Sequence, residues 1–229
     1  MTGKGCDDPS VRGAFTDMLA NTTAALRGRY HLAGKVGNLQ VEGIPFAVNG
    51  DPAVLGLADR DAIPVRAGIP AAPVDLGALT GCRVLDQGCN LNTRPPVVNV
   101  DTPSGTLSIA IERGYLAVDF SLHGQAYRVF NTHLEQRLLA PSLPATRLLQ
   151  VRQSIELQGS ALGTWDGRRK LIAVGDFNSA PADTIPGAPT PYQVFTGNGF
   201  TDAWLMRPQQ GEGFSCCQAE DLSNRQSAL

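Results

Sequence analysis

Two short stretches of this chain place polar residues where an apolar run ends. In LIAVGDFN (171–178) a run from Leu171 to Val174 leads to Asp176 and Asn178, and in YRVFNTH (127–133) a similar run delivers Asn131 and His133. An ionised aspartate only accepts hydrogen bonds, whereas an asparagine both donates and accepts. Histidine is the side chain whose ordinary pKa lies closest to neutrality. An aspartate to orient water, an amide to hold a phosphoryl oxygen and a histidine to stabilise developing negative charge are the equipment of metal-assisted phosphoester hydrolysis. Alternation along an extended strand would point Asp176 and Asn178 the same way, with Phe177 turned into the core. Each motif also has a plain structural reading: GDFN as a turn capped by Asp176, and His133 as a satisfied residue at a strand end. The two in this order, each after an apolar strand and separated by one amphipathic helix, favour a built site.

The elements that must position these residues follow from the pattern around them. Phe15, Leu19 and Leu26 recur at helical intervals in residues 11–30, as in a surface helix lying on a sheet. LADRDAIPVR (57–66) reads as a short strand in which Pro64 implies an edge or a bulge. Its Asp59, Arg60 and Asp61 read as a solvated charge cluster, with the arginine as the member that could face the site. Residues 66–105 are loop-rich. TLSIAI (106–111), YLAVDF (115–120) and AYRVFN (126–131) read as strands, the last two joined by a tight hairpin at His123 and Gly124. The segment 145–162 puts Leu148, Val151, Ile155 and Leu162 on one helical face, and LIAV follows as a buried strand. His31 and His123 are structural by default, His123 as a solvated turn residue. Hairpins mixed with helices predict an α+β sandwich of two sheets with helices on the outer faces, a doubly wound parallel sheet being the alternative.

Composition bounds the answer. With 229 residues, 42% hydrophobic and 17% charged, the chain can bury one sizeable core, so a single domain over 1–229 is expected. A net charge of −2 lacks the basic footprint of a protein that grips nucleic acid along its phosphates. Arg far outnumbers Lys, which codon bias explains as well as phosphate binding does. No run reaches the roughly 18 apolar residues of a transmembrane helix, and the first thirty residues lack a signal peptide's apolar run. Of five cysteines, Cys82 and Cys89 bracket a short polar loop, Cys216 and Cys217 are adjacent, and Cys6 stands alone. Without CxxC spacing, disulfides in an oxidising compartment are the expected use. Cys82 and Cys89 should bridge, with Gly88 easing the return. The odd count leaves one thiol unpaired within the chain, and Cys216 or Cys217 should reach a distant partner.

VFNTHLE (129–135) and VGDFNSAP (174–181) together resemble the paired signatures of the endonuclease/exonuclease/phosphatase family, which includes pancreatic-type deoxyribonuclease, bacterial sphingomyelinases and inositol-polyphosphate phosphatases. LADRDAI (57–63), the hairpin from Arg113 to Glu135, GFTDAW (199–204) and FSCCQAEDLSN (214–224) are similar to a secreted bacterial branch of it, so the resemblance extends over nearly the whole chain. It implies a four-layer sandwich, two mixed β-sheets face to face with helices outside, here incomplete at both ends. It also implies metal-dependent hydrolysis of a phosphoester, most directly a phosphodiester, with Mg²⁺, or Mn²⁺ or Ca²⁺, as cofactor. By motif, His133 would contact the scissile phosphate, Asp176 would position or activate the attacking water and could touch the metal, Asn178 would grip the phosphate, and Asn131 would support them.

The family's first-strand asparagine, its metal-binding glutamate in a QE pair, a late strand aspartate and a final Asp-His pair have no match here. The resemblance therefore implies an internal fragment, weakly active or inactive alone, of a monomeric extracellular or periplasmic enzyme whose signal peptide is not in this chain. A non-catalytic binding module that keeps the fold is the alternative, and the flanking coding sequence would discriminate. The substrate stays open between nucleic acid, phospholipid and a small phosphoester.

Overall fold

The computed structural model describes residues 17–48, 51–102, 105–136, 144–208, 213 and 215. The chain divides into two compact units, residues 1–194 and 195–229. Its elements in order are α1 (Met18–Ala25), β1 (Tyr30–Val48), β2 (Asp51–Arg66), β3 (Ala71–Pro73), α2 (Leu76–Thr80), β4 (Val84–Leu85), β5 (Gly88–Asn90), β6 (Val97–Thr102), β7 (Gly105–Ala110), β8 (Gly114–Leu122), β9 (Gln125–His133), α3 (Pro144–Gly163), β10 (Lys170–Asp176) and α4 (Pro191–Gly197), followed by a 3₁₀ turn at Ala203–Met206. Several sheets and few helices make this a mixed α and β protein, compatible with the α+β class. No helix among the described residues is long and apolar enough to cross a membrane.

The expected first helix forms, opened by Asp17, whose carboxylate accepts from the Ala20 amide. It buries no residue, so it does not supply the sheet-covering face expected of it, and Phe15 lies outside the described residues. β1 and β2 make a long antiparallel hairpin, of which the strand expected at 57–66 is only the second half. Three register shifts interrupt the ladder, between Leu32 and Gly34, Gly37 and Leu39, and Val41 and Ile44. They break the period-two alternation that would have announced β1. The first falls opposite Pro64, which pairs with Leu32 beside the bulge, as a proline without an N–H donor requires.

In the main sheet the order is β10-β9-β8-β5-β4, with β3 also beside β8; β10 runs parallel to β9 and the other pairs are antiparallel. His123 and Gly124 turn the β8/β9 hairpin with φ of 50° and 77°, both positive as a two-residue turn of the favoured twist demands. β6 and β7, the latter matching the run expected at 106–111, form a separate hairpin. One face of the main sheet packs against the β1/β2 hairpin through Val36, Ile63, Leu116 and Val118, with Val65 and Val129 beside them. A fully buried side chain of this size contributes about 1.5–3 kcal/mol. The other face takes α3: Tyr115 Oη lies 2.8 Å from Ser160 Oγ, and Arg128 Nη1 donates to Thr164 O at 2.8 Å.

Two expectations are corrected here. α3 buries Gln150, Val151, Gln153, Ser154, Leu157 and Ala161, while Leu148, Ile155 and Leu162 of the expected apolar face lie exposed. The face turned inward carries Gln150 and Gln153, which bond the loops after β10 and β9, Ser160, which meets Tyr115 of β8, and Ser154, which bonds Val151 O within the helix, as buried polar groups must find partners. LIAV is the edge strand of the sheet rather than a buried strand: Ile172 and Val174 are 37% and 42% exposed.

In the second unit, Asp202 caps the 3₁₀ turn by accepting from the Trp204 amide, and the Arg207 guanidinium stacks over the Trp204 ring.

Candidate functional site

The parallel ladder of β9 and β10 pairs Asp176 with His133, the last residue of each strand. Parallel neighbours need a crossover, and α3 provides it. Leu134 N donates to Asp176 O at 2.9 Å and holds the two strand ends together. Gly175 is required between them. Its φ is 131°, and a β-carbon there would sit 1.9 Å from Thr132 O. The glycine of GDFN thus lets β10 come close enough for Asp176 to meet the histidine. His133 Nε2 and Asp176 Oδ2 are 3.6 Å apart, with the imidazole 27% and the carboxylate 60% exposed. This is beyond hydrogen-bond reach, and His133 Nε2 is buried without a hydrogen-bond partner among the described residues.

Asn178 reaches this end of the sheet by a different route from the one the alternation predicts. The strand stops at Asp176, and Asn178 adopts φ of 48°. Asp176 Oδ1 accepts from the Asn178 amide at 2.9 Å, a side-chain-to-backbone turn. Asn178 Nδ2 donates to Leu134 O at 2.9 Å, and Asn178 O accepts from Gln150 Nε2 at 2.5 Å. Phe177 is only half-buried. The turn therefore caps the backbone with one oxygen of Asp176 and leaves the other oxygen toward His133.

Asn131 links the layers, its Nδ2 donating to Ala62 O of β2 at 2.9 Å. Next to Ala62, Asp61 accepts from Asn38 Nδ2 at 2.8 Å. Burial raises the Asp61 carboxyl above its ordinary 3.8; the Asn38 hydrogen bond opposes this, Asp59 adds to it, and His133 and Arg113 pull it back down. Asn38 is the extra residue between the pairs Gly37–Arg60 and Leu39–Asp59. Bulges commonly re-aim a side chain beside a site, and this one buries Asn38 to 2% exposure. Of the Asp-Arg-Asp cluster, the arginine is the member that faces away: Arg60 is exposed and pairs with Asp17 at 2.9 Å.

Arg113, at the foot of β8, is buried between Asp59 (3.3 Å) and Glu135 (3.2 Å). Glu135 in turn accepts from the Gln136 amide, while its own amide donates to Gln153 Oε1. A buried guanidinium needs such carboxylates, since removing one leaves an uncompensated charge. Arg113 Nε, Glu135 Oε2 and Asn38 Oδ1 nevertheless lack hydrogen-bond partners among the described residues. The structure thus brings His133 and Asp176 together, holds Asn178 and Asn131 beside them as ties, and adds Asn38, Asp61, Arg113 and Glu135. Of these four, Asp61 had a signal in the charge cluster, Arg113 and Glu135 lay within the hairpin that carries the resemblance without being given a role, and Asn38 had none because its bulge breaks the alternation.

Cys82 and Cys89 form a disulfide with Cα atoms 5.8 Å apart. The tight return lies at Asp86, with φ of 51°; Gly88 instead sits where a β-carbon would meet Val36 and the Tyr115 carbonyl. Cys6, Cys216 and Cys217 lie outside the described residues. Among the described residues no group of three or more His, Cys, Asp or Glu side chains is arranged to hold a metal ion. No family model matches this chain, and no curated protein matches it significantly.

Proposed function

We propose that this chain is the phosphate-contacting part of a phosphoester hydrolase of the endonuclease/exonuclease/phosphatase type, acting on a phosphodiester. The observation that carries the reading is the His133–Asp176 pair: a buried imidazole nitrogen without a partner, 3.6 Å from a carboxylate oxygen open to solvent. Asp176 Oδ2 accepts a hydrogen bond from the attacking water and takes its proton as oxygen bonds to phosphorus. The bond to the leaving alcohol breaks, and the alkoxide takes a proton from solvent. His133 stabilises the negative charge that develops on a non-bridging oxygen. Asn178 Nδ2 carries two hydrogens; one is held by Leu134 O, and the second serves the phosphate.

Dependence on a divalent cation rests on the family resemblance. The described residues offer Asp176 as one carboxylate and make no cage for an ion, so no step here runs through a metal. The same reading brings the four-layer sandwich, supported by the stacked hairpin, sheet and helix, and an extracytoplasmic location, supported by the Cys82–Cys89 disulfide.

A second reading, a binding module without turnover, is favoured by one observation: Asp176 Oδ1 and Asn178 Nδ2 both serve the backbone. Release of p-nitrophenol from bis(p-nitrophenyl) phosphate, with and without Mg²⁺, separates the two. The hydrolase reading expects Mg²⁺-dependent release that is lost in both His133→Ala and Asp176→Ala. Release that survives both substitutions overturns it, and phosphate-induced shifts of the His133 ring resonances without release favour the binding module.

A further inference from the structure

Gln150 and Gln153 lie one turn apart on the inward face of α3 and are 0% and 1% exposed. Each grips the exit of one strand of the site. Gln150 Nε2 donates to Phe177 O at 3.2 Å and to Asn178 O at 2.5 Å, in the turn that follows Asp176. Gln153 Oε1 accepts from the Glu135 amide at 2.8 Å, two residues beyond His133. The two exits are also tied to each other, since Leu134 N donates to Asp176 O and Asn178 Nδ2 donates to Leu134 O, both at 2.9 Å. One helix thus holds both ends of the parallel pair.

Stability alone does not explain a glutamine at position 150. Its Oε1 is buried without a hydrogen-bond partner among the described residues, and an apolar side chain of the same length would avoid the penalty of such an atom. What the amide supplies is donation to two carbonyls of the Asp176 turn. That turn needs a hold, because Asn178 has φ of 48°, a region of backbone space uncommon outside glycine. The Asn178 amide in turn fixes Asp176 through Oδ1, at 2.9 Å.

We infer that Gln150 and Gln153 are positioning residues: by gripping the exits of β10 and β9 they set how Asp176 and His133 face each other, and Gln150 also sets the direction of the Asp176 carboxylate through the Asn178 amide. The expected effect on turnover rests on the phosphoester-hydrolase reading. The geometry does not.

Gln150→Met and Gln153→Met keep the length of the side chain and lose the amide. Leu148→Ala, on the exposed side of the same helix, is the control. Per folded molecule, each glutamine variant should lower kcat on bis(p-nitrophenyl) phosphate about tenfold or more with KM little changed, and should shift the His133 ring resonances. Leu148→Ala should do neither. Loss of stability in the glutamine variants with kcat per folded molecule and the His133 resonances unchanged would make both residues structural and overturn the assignment. Absence of turnover in the unaltered chain counts against the hydrolase reading instead, and the ring resonances then decide the positioning by themselves. Should the variants fail to fold, hydrogen exchange in the unaltered chain decides: the Gln150 side-chain amide and the Glu135 backbone amide should both exchange slowly, and fast exchange at either overturns the grip.

Discussion

His133 and Asp176 are register partners at the end of a parallel ladder, yet His133 Nε2 and Asp176 Oδ2 stand 3.6 Å apart without a hydrogen bond. Of the two, the Asp176 carboxylate is the group open to a third molecule, while the imidazole Nε2 is closed off beside it.

Activity and stability should separate at this pair. Asp176→Ala removes one exposed hydrogen bond to the Asn178 amide, worth about 1 kcal/mol, and should lower phosphodiester turnover about a hundredfold or more. Phe177→Ala should do the reverse, costing about 2 kcal/mol, less than the 3–5 of a fully buried phenylalanine, because the ring is only half-buried. Paired urea melts and rate measurements check this. An Asp176→Ala protein that unfolds while its remaining folded fraction keeps full turnover would make the residue a cap and nothing more.

Gly175→Ala should be among the most damaging single changes to β10. The backbone angle is one that L side chains rarely adopt, and the added carbon meets a carbonyl that cannot move aside. Strain at such an angle alone costs about 1–3 kcal/mol. Loss of the Leu134 amide's protection from hydrogen exchange is the readout, and unchanged protection there would contradict the close approach of the two strands.

Asp61 makes stability depend on pH. Its carboxyl is raised above 3.8 by burial, so the folded chain holds this proton more tightly than the unfolded one. Its contribution to stability is fully present below pH 3.8 and is lost as pH rises through the folded value. Asp61→Asn keeps an oxygen for Asn38 Nδ2 and removes the buried charge. The variant should gain stability over the parent at pH 7, and that gain should vanish near pH 3.5. Equal differences at both pH values, from chemical denaturation, would dismiss the idea.

The Cys82–Cys89 bridge closes a loop of separation 7, for which the chain-entropy account gives about 2.5 kcal/mol. Thiol counting under denaturing conditions should find two more thiols after reduction for this pair, located by peptide mapping. Peptides 82 and 89 labelled before reduction would refute the bridge in solution.

How far the sequence was readable depended on whether local pattern and tertiary contact agreed. The β8/β9 hairpin could be read because two apolar runs, the first buried continuously from Tyr115 to Val118, flank a His-Gly turn. His133 and Asp176 could be read because each ends such a strand. β1 was hidden by its three register shifts, and with it Asn38. The buried face of α3 was misread because Gln150 and Gln153 turn inward to partners far along the chain, Asn178 and Glu135, while Ser154 turns inward to bond Val151 O of its own helix. Hydrophobic periodicity carries no information about such partners. The Asp176 turn reverses the alternation at Asn178 for a local reason, a left-handed residue, which asparagine tolerates and which its presence only permits.

The parallel pairing of β9 with β10 also sets an order of events. β8 and β9 meet across a two-residue turn, whereas His133 and Asp176 are 43 positions apart in the chain, with α3 to be formed and laid down between them. Closing the longer loop costs more entropy before any contact repays it. The hairpin should therefore belong to the folding nucleus and β10 should dock afterwards. Kinetically, Val129→Ala should slow refolding, while Ala173→Gly should leave refolding nearly unchanged and speed unfolding. A refolding rate slowed equally by both would place β10 in the nucleus. In this order of assembly, the two residues of the site meet only when the sheet is complete, so a partly folded chain holds the imidazole without its carboxylate.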